Sequence, residues 1–229
     1  MKIAFFSTKP YDRKFFEIAN KELGHAITFL ELRLTPATAS LARGHSVVCA
    51  FVNDQASAEV LEILAAGGTQ LIALRSAGYN HIDLKAAQRL GLSVVHVPDY
   101  SPYAVAEHTV ALMLTLNRHI HRAYNRVREG NFSIDGLLGF DLHGKSVGLV
   151  GVGKIGLCVA RILHGFGCRL MAVDPFPLSA EAASYLTACS FEEMLATADI
   201  ISLHCPLTPA TQHLVNAGTI AKMKRGVML

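Results

Sequence analysis

The chain has 229 residues, 51% of them apolar, and a formal net charge of +3. With a mean hydropathy of +0.33 it has a well-filled core and is not a disordered chain; its length suits one large domain or two small ones. So small a charge gives no argument for a nucleic-acid or membrane-surface partner. The five cysteines, Cys49, Cys158, Cys168, Cys189 and Cys205, form no C-x-x-C pair and read as small core residues in a reducing compartment. The apolar run near Met1 is only four residues long, a first strand rather than a signal peptide, and no run approaches bilayer-spanning length. A cytoplasmic protein is expected.

Over residues 1–100, short apolar runs at 3–6, 27–30, 47–52, 71–74 and 94–97 alternate with helix-like segments at 11–23, 36–43, 57–66 and 83–90. Strands alternating with helices imply a parallel sheet covered on both faces. Glycines 24, 44, 67, 68 and 91 fall at the helix-to-strand junctions, where C-terminal caps are expected. Ser101-Pro102 then opens a long helix, with serine as N-cap and proline in its first turn, ending at Gly130. Val105, Thr109, Leu112, Met113, Leu116, Ile120, Tyr124 and Val127 recur at helical spacing and predict its buried face.

The most informative stretch follows. Residues 146–150 read as a buried strand, Gly151-Val152-Gly153-Lys154-Ile155-Gly156 comes next, residues 157–166 read as helix, and residues 169–173 form a second strand ending on Asp174. Gly151 permits the turn out of the strand, Gly153 lets backbone approach a pyrophosphate, and Gly156 lets helix and strand pack closely. Unpaired N–H groups at the helix start, with the helix dipole behind them, bind a diphosphate. Asp174, eighteen residues after Gly156, can accept from ribose hydroxyls and would repel a 2′-phosphate. This context predicts NAD rather than NADP. A helix at 191–197, a strand at 199–203, a helix at 215–224 and the opening of a further strand at 226–229 complete the chain. The expected fold is α/β: two Rossmann-like or flavodoxin-like βα domains with parallel sheets, 1–100 and 101–229, the second incomplete.

Several stretches together resemble the D-isomer-specific 2-hydroxyacid dehydrogenases, most closely their fermentative D-lactate branch. They include Ser7-Thr8-Lys9-Pro10-Tyr11-Asp12, Phe51-Val52-Asn53-Asp54, Arg75-Ser76-Ala77-Gly78-Tyr79-Asn80, Val97-Pro98-Asp99-Tyr100-Ser101-Pro102 and Val105-Ala106-Glu107-His108. The glycine motif, Asp174-Pro175 and Ser202-Leu203-His204-Cys205-Pro206-Leu207-Thr208 complete the set. The resemblance implies a substrate domain at 1–100, an NAD domain at 101–229 and reversible reduction of pyruvate to D-lactate by NADH. It assigns the substrate carboxylate to the backbone of Ala77 and Gly78, and a hydrogen bond to the acid to Tyr100. Gly151, Gly153, Lys154, Ile155 and Gly156 fall at the pyrophosphate, Asp174 at the ribose, and Cys205, Pro206 and Thr211 around the nicotinamide half. The family's catalytic arginine, glutamate and histidine would lie beyond Leu229, so the chain reads as C-terminally truncated and inactive by itself. A homo-oligomer, with its subunit contact on the long helix, is implied for the full-length protein.

Among the eleven histidines, His204 ends a strand near the expected cofactor, but no carboxylate in a readable motif orients it, and it reads as lining. The histidines and carboxylates show no metal-ligand spacing, and no metal is expected. Arg118, Arg122, Arg126 and Arg128 make a basic helix surface, read as solvated or subunit-facing rather than nucleic-acid-binding. The alternatives are a non-enzymatic NAD-binding sensor or co-repressor on the same scaffold, and a dehydrogenase for another 2-hydroxy acid.

Overall fold

In the computed structural model, which describes residues 1–98 and 101–229, the short β-branched runs form two parallel sheets. The chain divides into two compact units, Met1–Tyr100 and Ser101–Leu229. The α/β class expected from the alternation is what forms.

In the first unit, β1 (Lys2–Phe5), β2 (Ala26–Phe29), β3 (Val47–Ala50), β4 (Leu71–Leu74) and β5 (Ser93–Val95) lie in the order β2-β1-β3-β4-β5. All pairs are parallel, with Ile3 opposite Val47 and Val47 opposite Leu71. The sheet reverses direction between β1 and β3, the switch point beyond which open α/β sheets bind ligands. Helices α1 (Pro10–Asn20), α2 (Ala58–Ala66) and α3 (Leu84–Arg89) connect the strands. Central β3 is buried at all four positions, because a parallel strand covered on both faces has no solvent side. Val48, Leu61, Leu64 and Ile72 anchor this core, each contributing about 1.5–3 kcal/mol by burial. The helix expected at 36–43 is reduced to a 3-10 turn, Ala39–Ala42.

The second unit begins with α4 (Pro102–Asn117), capped by Ser101 Oγ accepting from Ala104 N at 3.3 Å. The single long helix expected there is broken: α5 (Ile120–Arg128) starts after His119, whose φ of +52° no helix accepts. The buried face also differs from expectation. Met113 is buried as expected, but the residues that join it inside are Ala106, Val110 and Asn117, whereas Leu112 and Leu116 are about half exposed, at 51% and 50%, and α5 buries none of its residues. Apolar residues sit on two faces of this segment, and spacing alone does not say which face meets a core. Much of the basic side of α5 is used internally: Arg126 Nη1 donates to Ser133 O at 3.1 Å and Asp135 O at 2.7 Å, holding the segment that follows. Asn117 clamps the next stretch, donating to Phe140 O and accepting from Phe140 N.

The sheet of this unit runs β8-β7-β6-β9, from β6 (Ser146–Val150), β7 (Arg169–Val173), β8 (Leu186–Ala188) and β9 (Ile200–Leu203). Its switch point lies between β6 and β9. Helix α6 (Lys154–Gly165) follows β6 and shares a core with α4 through Val110, Met113, Val159 and Leu163. α7 (Ala180–Ala183) and β8 were not foreseen, being too short to show a period; α8 (Phe191–Thr197) was. The helix expected at 215–224 shrinks to α9 (Ala217–Ile220), capped by Asn216. The strand expected at 226–229 is a single parallel bridge from Met228 to Ile200.

Candidate functional site

Both sheets place their chemistry beyond the carboxyl ends of their strands. In the first unit that end is filled with polar side chains. Asp54, buried after β3, accepts from Ser7 Oγ at 2.6 Å, Leu34 N at 2.9 Å and Phe51 N at 2.7 Å, tying three loops together. Ser7 adopts φ +53° to make this contact. At the end of β4, Arg75 Nη1 pairs with Asp12 Oδ1 at 2.9 Å, their side chains only 11% and 9% exposed. Arg75 Nη2 donates to Phe6 O at 2.7 Å, and its guanidinium lies 4.2 Å from the centre of the Phe5 ring. Burial pushes the neighbouring Cys49 thiol up to about 12, against the opposing pull of Arg75, so it is an inert thiol at neutral pH.

The loop after Arg75 carries Ala77 and Gly78, both exposed. Their carbonyls are engaged, Gly78 O by Ser76 Oγ at 2.7 Å and Ala77 O by His96 Nδ1 at 3.0 Å. Among the described residues, no acceptor meets the N–H of either. Adjacent amides with nothing to donate to form a concavity suited to an anion. Tyr100, assigned to the substrate side by the resemblance, lies outside the described residues.

In the second unit the end of the sheet opens into a cleft of about 700 Å³, lined by Gly151, Gly153, Asp174, Cys205, Pro206 and Thr211 among others. Of the predicted cofactor residues, these six come together. Lys154, Ile155 and Gly156 instead form the first turn of α6, which starts one turn earlier than its sequence suggested, with Gly153 as N-cap. Gly151 holds φ +91°, and a Cβ there would lie 2.8 Å from Cys205 N. A Cβ on Gly156 would lie 2.4 Å from Gly151 O, so this glycine is required by packing. A Cβ on Gly153 would meet nothing within 4 Å, which leaves room for a ligand at the backbone.

This geometry fits a dinucleotide. The N–H of Leu157 bonds Gly153 O at 2.9 Å, while those of Ile155 and Gly156 meet no acceptor among the described residues. They point the positive end of α6 outward, as diphosphate binding requires. Asp174 Oδ2 accepts from Val152 N at 2.7 Å and Oδ1 from Phe176 N at 2.9 Å. The acid therefore shapes the glycine loop as well as facing the cleft, and each oxygen keeps a lone pair for a hydroxyl. Thr211 Oγ1 donates to Pro206 O at 2.6 Å and accepts from Thr208 N at 2.8 Å, so its hydroxyl folds its own loop.

His204 also lines the cleft, and burial holds its imidazole below the usual histidine range. Its Nε2 meets Ser202 Oγ at 3.0 Å. Among the described residues no carboxylate hydrogen-bonds a histidine, so none is oriented as a general acid. Phe176, Phe191 and Leu214 line the cleft too, and sequence reasoning missed them. The one available signal was Phe176 between two prolines directly after the acid, where it stays 77% exposed.

Comparison with known proteins agrees with this geometry. The family described as "D-isomer specific 2-hydroxyacid dehydrogenase, NAD binding domain" matches residues 110–229. A 2-hydroxyacid dehydrogenase homolog of Haemophilus influenzae is 52% identical across the whole chain, which spans 69% of that relative. The D-lactate dehydrogenase of Escherichia coli is 49% identical over the whole chain and 70% of its own length. The apo structure of the Escherichia coli enzyme superposes with a TM-score of 0.93, covering 100% of this chain and 72% of that one. D-lactate dehydrogenase from Aquifex aeolicus, complexed with NAD and lactic acid, gives 0.83 at 32% identity, over 97% of this chain and 66% of that one. With its acid-ended glycine loop, its doubly wound second sheet and these relatives, the chain belongs to the D-isomer-specific 2-hydroxyacid dehydrogenases and carries their NAD-binding domain.

Proposed function

We propose that this protein is an NAD-dependent D-lactate dehydrogenase, interconverting pyruvate and D-lactate. The observation that carries the reading is a pair of anion sites built from backbone amides, one on each sheet. The Ala77-Gly78 amides suit a 2-keto acid carboxylate, and the start of α6 suits a dinucleotide diphosphate. The 49% identity to the Escherichia coli D-lactate dehydrogenase supports pyruvate as the keto acid.

In this reading the first unit is the substrate domain. Ala77 and Gly78 hold the carboxylate and Tyr100 donates to the bound acid. In the second unit, Gly151, Gly153, Lys154, Ile155 and Gly156 hold the pyrophosphate and Asp174 holds the adenosine ribose. Cys205, Pro206 and Thr211 line the nicotinamide half. NAD supplies the hydride acceptor and donor. No residue from 1 to 229 is assigned the catalytic acid or the keto-polarising cation, since His204 faces a serine hydroxyl rather than a carboxylate.

The unit's exposed apolar residues, Ile120, Tyr124, Val127, Phe132, Ile134 and Leu138, support a subunit contact on α5 and the segment after it. Light scattering on the parent and on a Tyr124→Lys variant tests this, with a smaller species expected for the variant. Five unpaired thiols support a reducing, cytoplasmic setting.

The functional test is NADH oxidation with pyruvate, run on the protein expressed from its whole reading frame and on residues 1–229. Stereospecific detection should find D-lactate as product of the first. Turnover only with longer or phenyl-substituted keto acids would reassign the substrate, and no turnover with any keto acid would sink the enzyme reading.

A further inference from the structure

The amide pair at Ala77 and Gly78 is held in place by three contacts from outside the pair. Ser76 Oγ donates to Gly78 O at 2.7 Å, closing a tight local ring, and Ser76 itself is buried. His96 Nδ1 lies 3.0 Å from Ala77 O. A carbonyl can only accept, so Nδ1 carries the proton in this contact. Ser76 O accepts from Val97 N at 3.1 Å, extending the pairing of β4 and β5 into the loop. Three consecutive carbonyls are thus turned onto protein donors. The His96 ring is itself braced by the edge of Tyr79, with ring centres 5.3 Å apart.

A carbonyl beside an anion site is repulsive, and a loop free to rotate would present carbonyls and amides alternately. Fixing each carbonyl removes that freedom before the ligand arrives, and less ordering remains to be done on binding. We propose that Ser76 and His96 are positioning residues for the keto-acid carboxylate, Ser76 setting the orientation of the Gly78 carbonyl and His96 that of the Ala77 carbonyl. The inference rests on the assignment of Ala77 and Gly78 as the carboxylate site. It adds two side chains, neither of which need touch the substrate.

The test is a pyruvate titration of the ¹⁵N-labelled chain, following the Ala77 and Gly78 amide resonances. The parent should show both amides shifting with a common affinity. Ser76→Ala and His96→Phe each remove one donor while keeping, respectively, a small side chain and the ring against Tyr79. Each should weaken pyruvate binding about five-fold, the scale of one hydrogen bond, and leave the other amides of the first unit in place. Ser76→Thr and His96→Gln, which restore a donor, should recover most of the affinity, a rescue that a merely structural role would not produce. If the parent amides respond and both donor-less variants bind pyruvate as tightly as the parent, the positioning roles are overturned while the carboxylate site stands. If neither parent amide responds to pyruvate, the carboxylate assignment fails and the positioning roles fail with it.

Discussion

The two sheets solve the same problem with opposite materials. Beyond its strands the first unit is packed with charge: Asp54 gathers three donors and Asp12 meets Arg75, all out of water. The second unit leaves the equivalent place open, with Gly153 baring its backbone to the cleft while Gly151 and Gly156 let the loop pack closely beside it. On the proposed reading the first unit takes a keto-acid carboxylate, which is small and needs a few amides held still, so a rigid polar network would serve it. A dinucleotide is long and needs room along the backbone, which only missing side chains provide. The contrast predicts that the first unit breaks by losing partners and the second by gaining atoms.

The largest effect belongs to the buried pair. Arg75→Met leaves Asp12 without its cation, and loss of one partner of a buried pair costs about 3–5 kcal/mol. Urea unfolding of the first unit should show this, and an unchanged midpoint would mean that the Asp12–Arg75 pair is not buried in solution. Next come the glycines, which should separate stability from binding. Gly156→Ala forces a Cβ to 2.4 Å from Gly151 O and should cost about 1–3 kcal/mol of stability. Gly153→Ala adds a Cβ that meets no protein atom within 4 Å, so its unfolding midpoint should stay near the parent's while NADH affinity, read by fluorescence, falls about ten-fold or more. Equal stability losses for both would erase the distinction between a packing glycine and a ligand-facing one.

Asp174→Ala ranks third. It removes a charge-assisted acceptor and frees the N–H of Val152, and should weaken NADH binding about ten-fold. NADPH, whose 2′-phosphate the acid repels, should lose much less; parallel losses would show that Asp174 acts only on the loop. The smallest effect is the pH response of His204. Its imidazole is held below the usual range by burial, so on acidification the unfolded chain takes up a proton that the native one resists. Stability contributed by neutral His204 is complete above the unfolded value, about 6.5, and is lost as pH falls below it. A His204→Asn variant should lose less stability than the parent between neutral pH and about 5.5, and identical acid sensitivity would remove His204 from the account.

The glycine loop and Asp174 were readable from sequence because their requirement is local: a turn, a close approach and an acid at a strand end leave few residue choices. The alternation of strands and helices was readable for the same reason. Ala77 and Gly78 were not marked by any local rule and emerged only through resemblance. The structure adds that Ser76 and His96 occupy their carbonyls, which supports the role proposed for their amides.

What the sequence determined by itself was the parallel α/β architecture and the cofactor loop, since both follow from hydrophobic period and backbone sterics within a few residues. Tertiary structure alone decided that α4 buries Ala106 and Val110 beside the expected Met113, rather than Leu112 and Leu116. It decided that Arg75 reaches Asp12 and Phe6, and that Phe176, Phe191 and Leu214 converge on one cleft. Those outcomes depend on which surfaces meet across the fold, and no local pattern carries that information, because an apolar stripe or a lone charge has the same sequence signature whichever neighbour it finds.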